Sequence, residues 1–158
     1  METQSVMMVQ IADRSWTLEA LHCAGVMARA KSATIALVMM VPVQHLGWLG
    51  TDFGYLNISE QERREIDDYQ NTLEDYGVEF ELCLFQYATL ADALVQAAEY
   101  VHAQVVFATL PKSVIPSWHR YQLRNLRRQF AHDQREFIEQ PTYARITPPI
   151  LETAVAEL

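Results

Sequence analysis

The chain reads as an α/β domain in which strands and helices alternate, β-α-β-α-β-α-β-α-β, around a mostly parallel sheet. Three observations predict this. Residues 34–41 (TIALVMMV) and 105–108 (VVFA) are almost wholly apolar, the pattern of strands covered on both faces. Between such runs lie segments with apolar residues at steps of three and four, each with its own start or stop signal. Each pair of successive strands is separated by one such helical segment, as parallel pairing requires.

Residues 6–12 (VMMVQIA) form a buried strand closed by Asp13-Arg14-Ser15. Ser15 is placed to cap a helix reaching about Lys31, with Leu18, Leu21, Gly25 and Ala28 on its apolar face. The second strand, 34–41, ends at Pro42. Residues 42–58 make a long connection of 17 residues that holds three of the five glycines, together with Leu46, Trp48, Leu49, Phe53, Tyr55 and Leu56. A connection of this length is either packed on its own domain or a partner subunit, or acts as a ligand lid.

Ser59 and Glu62 have the spacing of a capping box. The helix behind them places Ile66, Tyr69, Leu73 and Tyr76 on one face and stops at Gly77, a residue that tolerates the left-handed turn at a helix end. Residues 78–85 begin with strict alternation, Val78, Phe80 and Leu82 against Glu79 and Glu81, which suits an edge strand with one wet face. Thr89 and Asp92 open a helix with Leu90, Leu94, Ala97, Ala98 and Val101 facing inward. After the strand at 105–108, Pro111 and Pro116 bracket a loop. Ser117 is placed to cap the longest helix, to about Gln140, and residues 143–147 form a last short strand before Pro148-Pro149. Residues 1–150 are read as one domain and 151–158 as a tail.

Composition bounds the function. The chain has 158 residues, 50% hydrophobic and 20% charged, a globular balance. Its net charge of −8 argues against a general nucleic-acid partner. Its longest apolar run, residues 33–43, is too short to span a membrane, which needs about 20 residues. The N-terminus carries no basic region of a signal peptide, so a cytoplasmic location is expected. Cys23 and Cys83 lack any metal-ligand spacing and are expected to be buried, inert thiols. His119 and His132 lie about 220° apart around a helix, and His22, His45 and His102 are isolated, so no metal site is expected. Ser113 and Ser117 lie near His119, but nothing orients that base for nucleophilic chemistry.

Charge is unevenly placed. Residues 112–135 hold Lys112, Arg120, Arg124, Arg127, Arg128 and Arg135 against Asp133, a net +5, which leaves −13 for the rest of a chain that totals −8. On one continuous helix the five arginines fall within an arc of roughly 100°, apart from Leu123, Leu126, Phe130 and Phe137. Three readings follow. The stripe is a solvated face, or an anion site built from guanidinium forks, or an interface to an acidic partner. The acidic helix carrying Glu60, Glu62, Glu65, Asp67, Asp68, Glu74 and Asp75 is one such partner, within the chain or in a second subunit.

Three segments together resemble the universal stress protein family: residues 8–15 (MVQIADRS), residues 33–43 (ATIALVMMVPV) and residues 77–111, which run strand, turn, helix with paired alanines, and buried strand. The resemblance implies a three-layer sandwich around a five-stranded parallel sheet of order 3-2-1-4-5, and a homodimer. It also implies that Asp13 lies near a ribose or base, and that the backbone at Met40 and Val41 lies near an adenine. Members that bind ATP carry Gly-x-x-Gly, nine residues, then Gly-Ser or Gly-Thr after the fourth strand. This sequence has Thr109, Lys112, Gln122 and Leu123 there, and no glycine follows Gly77. Backbone amides cannot approach phosphates closely without those glycines. The expectation is therefore a non-catalytic stress-response or regulatory domain with no ATP cofactor. The alternative is a binder of a small molecule, nucleotide or other anion, through Asp13, Val41, Thr109, Lys112, Arg120, Arg124, Arg127 and Arg128. Neither nucleic acid nor a membrane is expected as a partner.

Overall fold

Where an apolar run is bounded by polar turns, the chain pairs it into a sheet, and where the period lengthens it coils. The computed structural model describes residues 3–43 and 59–141. In order these form β1 (Val6–Gln10), α1 (Arg14–Lys31), β2 (Thr34–Pro42), α2 (Glu60–Tyr76), β3 (Phe80–Tyr87), α3 (Leu90–Tyr100), β4 (Ala103–Phe107), α4 (Pro116–His132) and β5 (Glu136–Ile138). All pairings are parallel, and the strand order is β3-β2-β1-β4-β5.

Side chains alternate across the sheet and build two cores. Met7 and Val9 of β1, Ile35 and Leu37 of β2, and Val105 and Phe107 of β4 pack with Leu21, Ala24 and Ala28 of α1 and Tyr69 and Leu73 of α2. Met8, Ala36, Val38 and Val106 face the other way, onto Leu94, Ala97 and Ala98 of α3 and Leu126 and Phe130 of α4. The three-layer arrangement and the strand order are as expected. The acidic α2 and the basic α4 thus lie on opposite faces of the sheet and cannot pair within one chain.

Local signals hold at several termini. The capping box at Ser59 is complete: Glu62 N–H donates to Ser59 Oγ at 3.1 Å, and Ser59 N–H donates to Glu62 Oε2 at 3.0 Å. Gly77 ends α2 in the left-handed region at φ 69°. Gly25 lets α2 approach α1, since a Cβ there would lie 2.6 Å from Cδ2 of Tyr76. β3 is an edge strand, as its alternation predicts.

Several boundaries differ. Asp13, not Ser15, caps α1, because its carboxylate accepts from Trp16 N–H at 3.2 Å while Ser15 lies inside the first turn. Ser117 does not cap α4, which starts at Pro116 behind Ile115 with no side-chain cap. That helix stops at His132 rather than near Gln140. Gln134 takes a left-handed φ of 60°, and Arg135 N–H returns to Phe130 O at 2.8 Å. Phe137 then stacks on Phe130 from a strand, with ring centroids 5.4 Å apart. The seven-residue spacing of these two rings mimics a continuous helix, and no glycine or proline marks the break. The fifth strand is consequently Glu136–Ile138, and the strand expected at 143–147 lies outside the described residues; of the connection expected at 42–58, Pro42 is instead the last residue of β2 and residues 44–58 lie outside the described residues. Arg135 leaves the basic stripe: its Nε donates to Ala103 O at 2.9 Å, and it pairs with Asp133 at 3.3 Å. Cys23 is buried as expected, whereas Cys83 on the edge strand is only half-buried.

Candidate functional site

β1 and β4 are neighbours whose following helices, α1 and α4, leave toward opposite faces of the sheet. This divergence opens a crevice beyond the carboxyl ends of the strands, the usual ligand position in such sheets. A cleft of about 650 Å³ lies there. Its walls come from Gln10 at the end of β1, Ala12, Asp13 and Trp16 at the start of α1, and Leu90 at the start of α3. The segment from Thr109 to Lys112, His119 in the first turn of α4, and Glu139 and Gln140 after β5 complete it.

Each polar wall is held by a nameable contact. Gln10 is 4% exposed, and its Oε1 accepts from Thr109 N–H at 2.8 Å, which ties the strand to the segment after β4. Thr17 is buried beneath the turn, accepting from Ala12 N–H at 2.9 Å and donating to Asp13 O at 2.8 Å. These bonds set the direction of Asp13, which is exposed at the rim. Trp16 Nε1–H donates to Glu139 O at 2.9 Å and pins the wall that follows β5. His119 Nδ1 lies 3.2 Å from Pro111 O. A carbonyl can only accept, so Nδ1 carries a proton and Nε2 is the nitrogen left for a ligand.

The charges are mixed. Lys112 is exposed and has no ion-pair partner among the described residues, whereas Glu139 is paired with Arg127 at 3.9 Å. The guanidinium of Arg127 also lies 5.5 Å from the centroid of Phe137. The cleft therefore offers one unpaired cation, an imidazole nitrogen, an exposed carboxylate and a partly apolar wall from Leu90, Leu110 and Pro111. Ser113 Oγ accepts from Ile115 N–H at 3.3 Å, and a carbonyl rather than a carboxylate orients His119, so the parts of a nucleophilic triad are not assembled. Among the described residues no three His, Cys, Asp or Glu side chains come together as a metal ion requires.

Solved structures share this architecture. A universal stress protein family member from Burkholderia pseudomallei superposes with a TM-score of 0.59 over 87% of this chain and 96% of that one, at 20% identity. A universal stress protein in complex with cAMP superposes with a TM-score of 0.60 over 89% of this chain and all of that one, at 16% identity. This is the universal stress protein fold. A universal stress protein from Archaeoglobus fulgidus in complex with dAMP matches with a TM-score of 0.50 over 87% of this chain and 98% of that one, at 14% identity. No protein-family model and no curated protein sequence matches the chain.

Within the universal stress protein fold, the structure brings Asp13, Thr109 and Lys112 together at the cleft. Val41 lies at the half-buried end of β2 and does not line it. Arg120, Arg124, Arg127 and Arg128 are exposed on α4 outside its walls. The wall residues not anticipated include Gln10, Trp16, His119, Glu139 and Gln140. Gln10 had a signal, being a polar residue at the carboxyl end of an otherwise apolar strand. His119 and Glu139 had none, since the loop and the helix end that place them are set by distant contacts.

Proposed function

We propose that this chain is a diverged universal stress protein, a non-catalytic regulatory domain whose cleft takes a small anionic ligand of nucleoside monophosphate size. The observation that carries this is the convergence of Asp13, Thr109, Lys112 and His119 at the divergence of β1 and β4. Similarly folded proteins hold cAMP and dAMP. Asp13 is an acceptor for ribose hydroxyls, Lys112 meets the anion, and Nε2 of His119 accepts from a ligand hydroxyl or amine. A point cation stands in place of the backbone amides that a glycine loop would offer. A triphosphate has no such cradle here, so ATP is not the preferred ligand. The reading includes a homodimer, which light scattering on the purified chain tests.

Thermal denaturation with AMP, cAMP, ATP or inorganic phosphate at low salt tests the site. A ligand at 100 times its Kd adds about 2.7 kcal/mol of stability. The expected result is stabilisation by a monophosphate that Lys112→Ala abolishes and Arg124→Ala leaves intact. Absence of a shift with every ligand, or a shift that requires the triphosphate, overturns the reading.

A further inference from the structure

The loop between Lys112 and His119 ends in side chains that no other described residue covers. Val114 is 100% exposed and Ile115 60% exposed, at a proline-bounded turn. Immediately behind them, Trp118 and Tyr121 are 52% and 58% exposed and stack on each other, with ring centroids 5.6 Å apart. Isolated exposed apolar residues are ordinary, but a contiguous group on one loop and helix turn marks a contact surface.

Cations adjoin this group. At about 100° per residue, Tyr121, Arg124 and Arg128 lie on the side of α4 opposite the buried Leu126 and Phe130, and Trp118 borders that side. Arg120 flanks them, and Lys112 precedes the tip. An apolar tip, then interfacial aromatics, then arginines, is the order in which a lipid bilayer presents hydrocarbon, interface and anionic headgroups. We propose that residues 112–128 dock this protein on the surface of an anionic bilayer, with Val114 and Ile115 entering the acyl boundary and the arginines meeting headgroup phosphates. No helix among the described residues is long and apolar enough to cross a membrane, so this is adsorption to a surface.

One feature favours a bilayer over a second copy, and the net charge does not oppose it. The acidic α2 of a second copy could answer the arginines, but its outward residues are charged or polar and offer Val114 and Ile115 no apolar counterpart. The chain's overall negative charge does not prevent docking. Its acidic helix lies on the far face of the sheet, beyond a Debye length of about 8 Å at physiological salt. The segment shares Lys112 and His119 with the cleft wall, but Val114, Ile115, Trp118, Arg124 and Arg128 lie outside it, so docking does not require a cleft ligand.

Co-sedimentation of the full chain with vesicles of phosphatidylcholine, with and without phosphatidylglycerol, tests it. Binding is expected only to the anionic vesicles, with a blue shift of tryptophan emission that Trp118→Phe removes. Each arginine removed should weaken partitioning by about fivefold, so Arg124→Ala with Arg128→Ala should lose roughly 25-fold. Val114→Asp with Ile115→Asp should abolish binding without loss of fold: both sites are exposed, and an aspartate at the uncapped start of α4 should hold or raise the thermal midpoint. Equal binding to neutral vesicles, no binding at all, or full binding by the aspartate variant overturns the proposal. So does an oligomer in lipid-free solution that the aspartate variant dissociates, which would assign the surface to a second copy.

Discussion

Replacing Gln10 with leucine tests how the cleft is held together. The two side chains are similar in size, so Gln10→Leu leaves the core filled and removes the acceptor of the 2.8 Å bond from Thr109 N–H. That N–H lies just past β4, where the last ladder contact is Ala108 N–H to Ile138 O at 3.2 Å. Thr109 itself is half-buried, so water replaces the lost acceptor only in part. An unsatisfied donor in such a place costs about 1–3 kcal/mol. For a chain of this length each kcal/mol lowers Tm by about 2–4 °C, so a fall of roughly 2–12 °C is expected. Amide hydrogen exchange localises the effect: protection should drop at Thr109 and its neighbours and persist at Met7 and Met8 in the sheet centre. An unchanged Tm together with unchanged protection at Thr109 would refute the view that Gln10 organises the segment bearing Lys112.

Two further outcomes concern the scaffold. Gly25→Ala gains about 1 kcal/mol of helix propensity but drives a methyl into the ring of Tyr76, an overpacking cost of about 1–3 kcal/mol. Urea denaturation should therefore show a net loss, which becomes a gain in a Tyr76→Ala background; a loss in both backgrounds contradicts the assigned contact. Burial pushes the thiols of Cys23 and Cys83 and the hydroxyl of Tyr69 above their ordinary values. The unfolded chain then releases these protons before the folded one does, so stability is intact below about pH 8.5 and declines as pH rises beyond it. Denaturation midpoints from pH 8 to 11 should fall, less steeply for Cys83→Ser; a flat profile counts against the shifts.

Much of the fold was legible because its determinants are local or depend on hydrophobic pattern alone. The apolar runs of β1, β2 and β4 declared themselves as strands covered on both faces, and Ser59, Glu62 and Gly77 bounded α2 by side-chain chemistry within a few residues. The strand order came from resemblance rather than from any local signal, since pairing is a contest among strands far apart in sequence. Of the site, Asp13, Thr109 and Lys112 were anticipated through the resemblance, Asp13 by its match to an acidic position and the other two by register with the missing glycine motif. The arginines were grouped with them because helical period reports which side chains share a face and not what that face looks upon.

By itself, then, the sequence determined the alternation of elements, the two-faced burial of the central strands, the absence of glycine after Gly77, and the concentration of positive charge near α4. Only the tertiary structure decided where α4 ends. Phe137 gains more as a strand residue stacked on Phe130 than as another turn of helix, and Gln134 takes the left-handed turn this requires. The same long-range packing turned His119 and Glu139 toward the cleft, folded Arg135 back onto Ala103, and left Val114, Ile115, Trp118 and Tyr121 facing outward. An apolar residue carries no local mark of whether it will be covered, because that depends on what the rest of the chain brings to meet it.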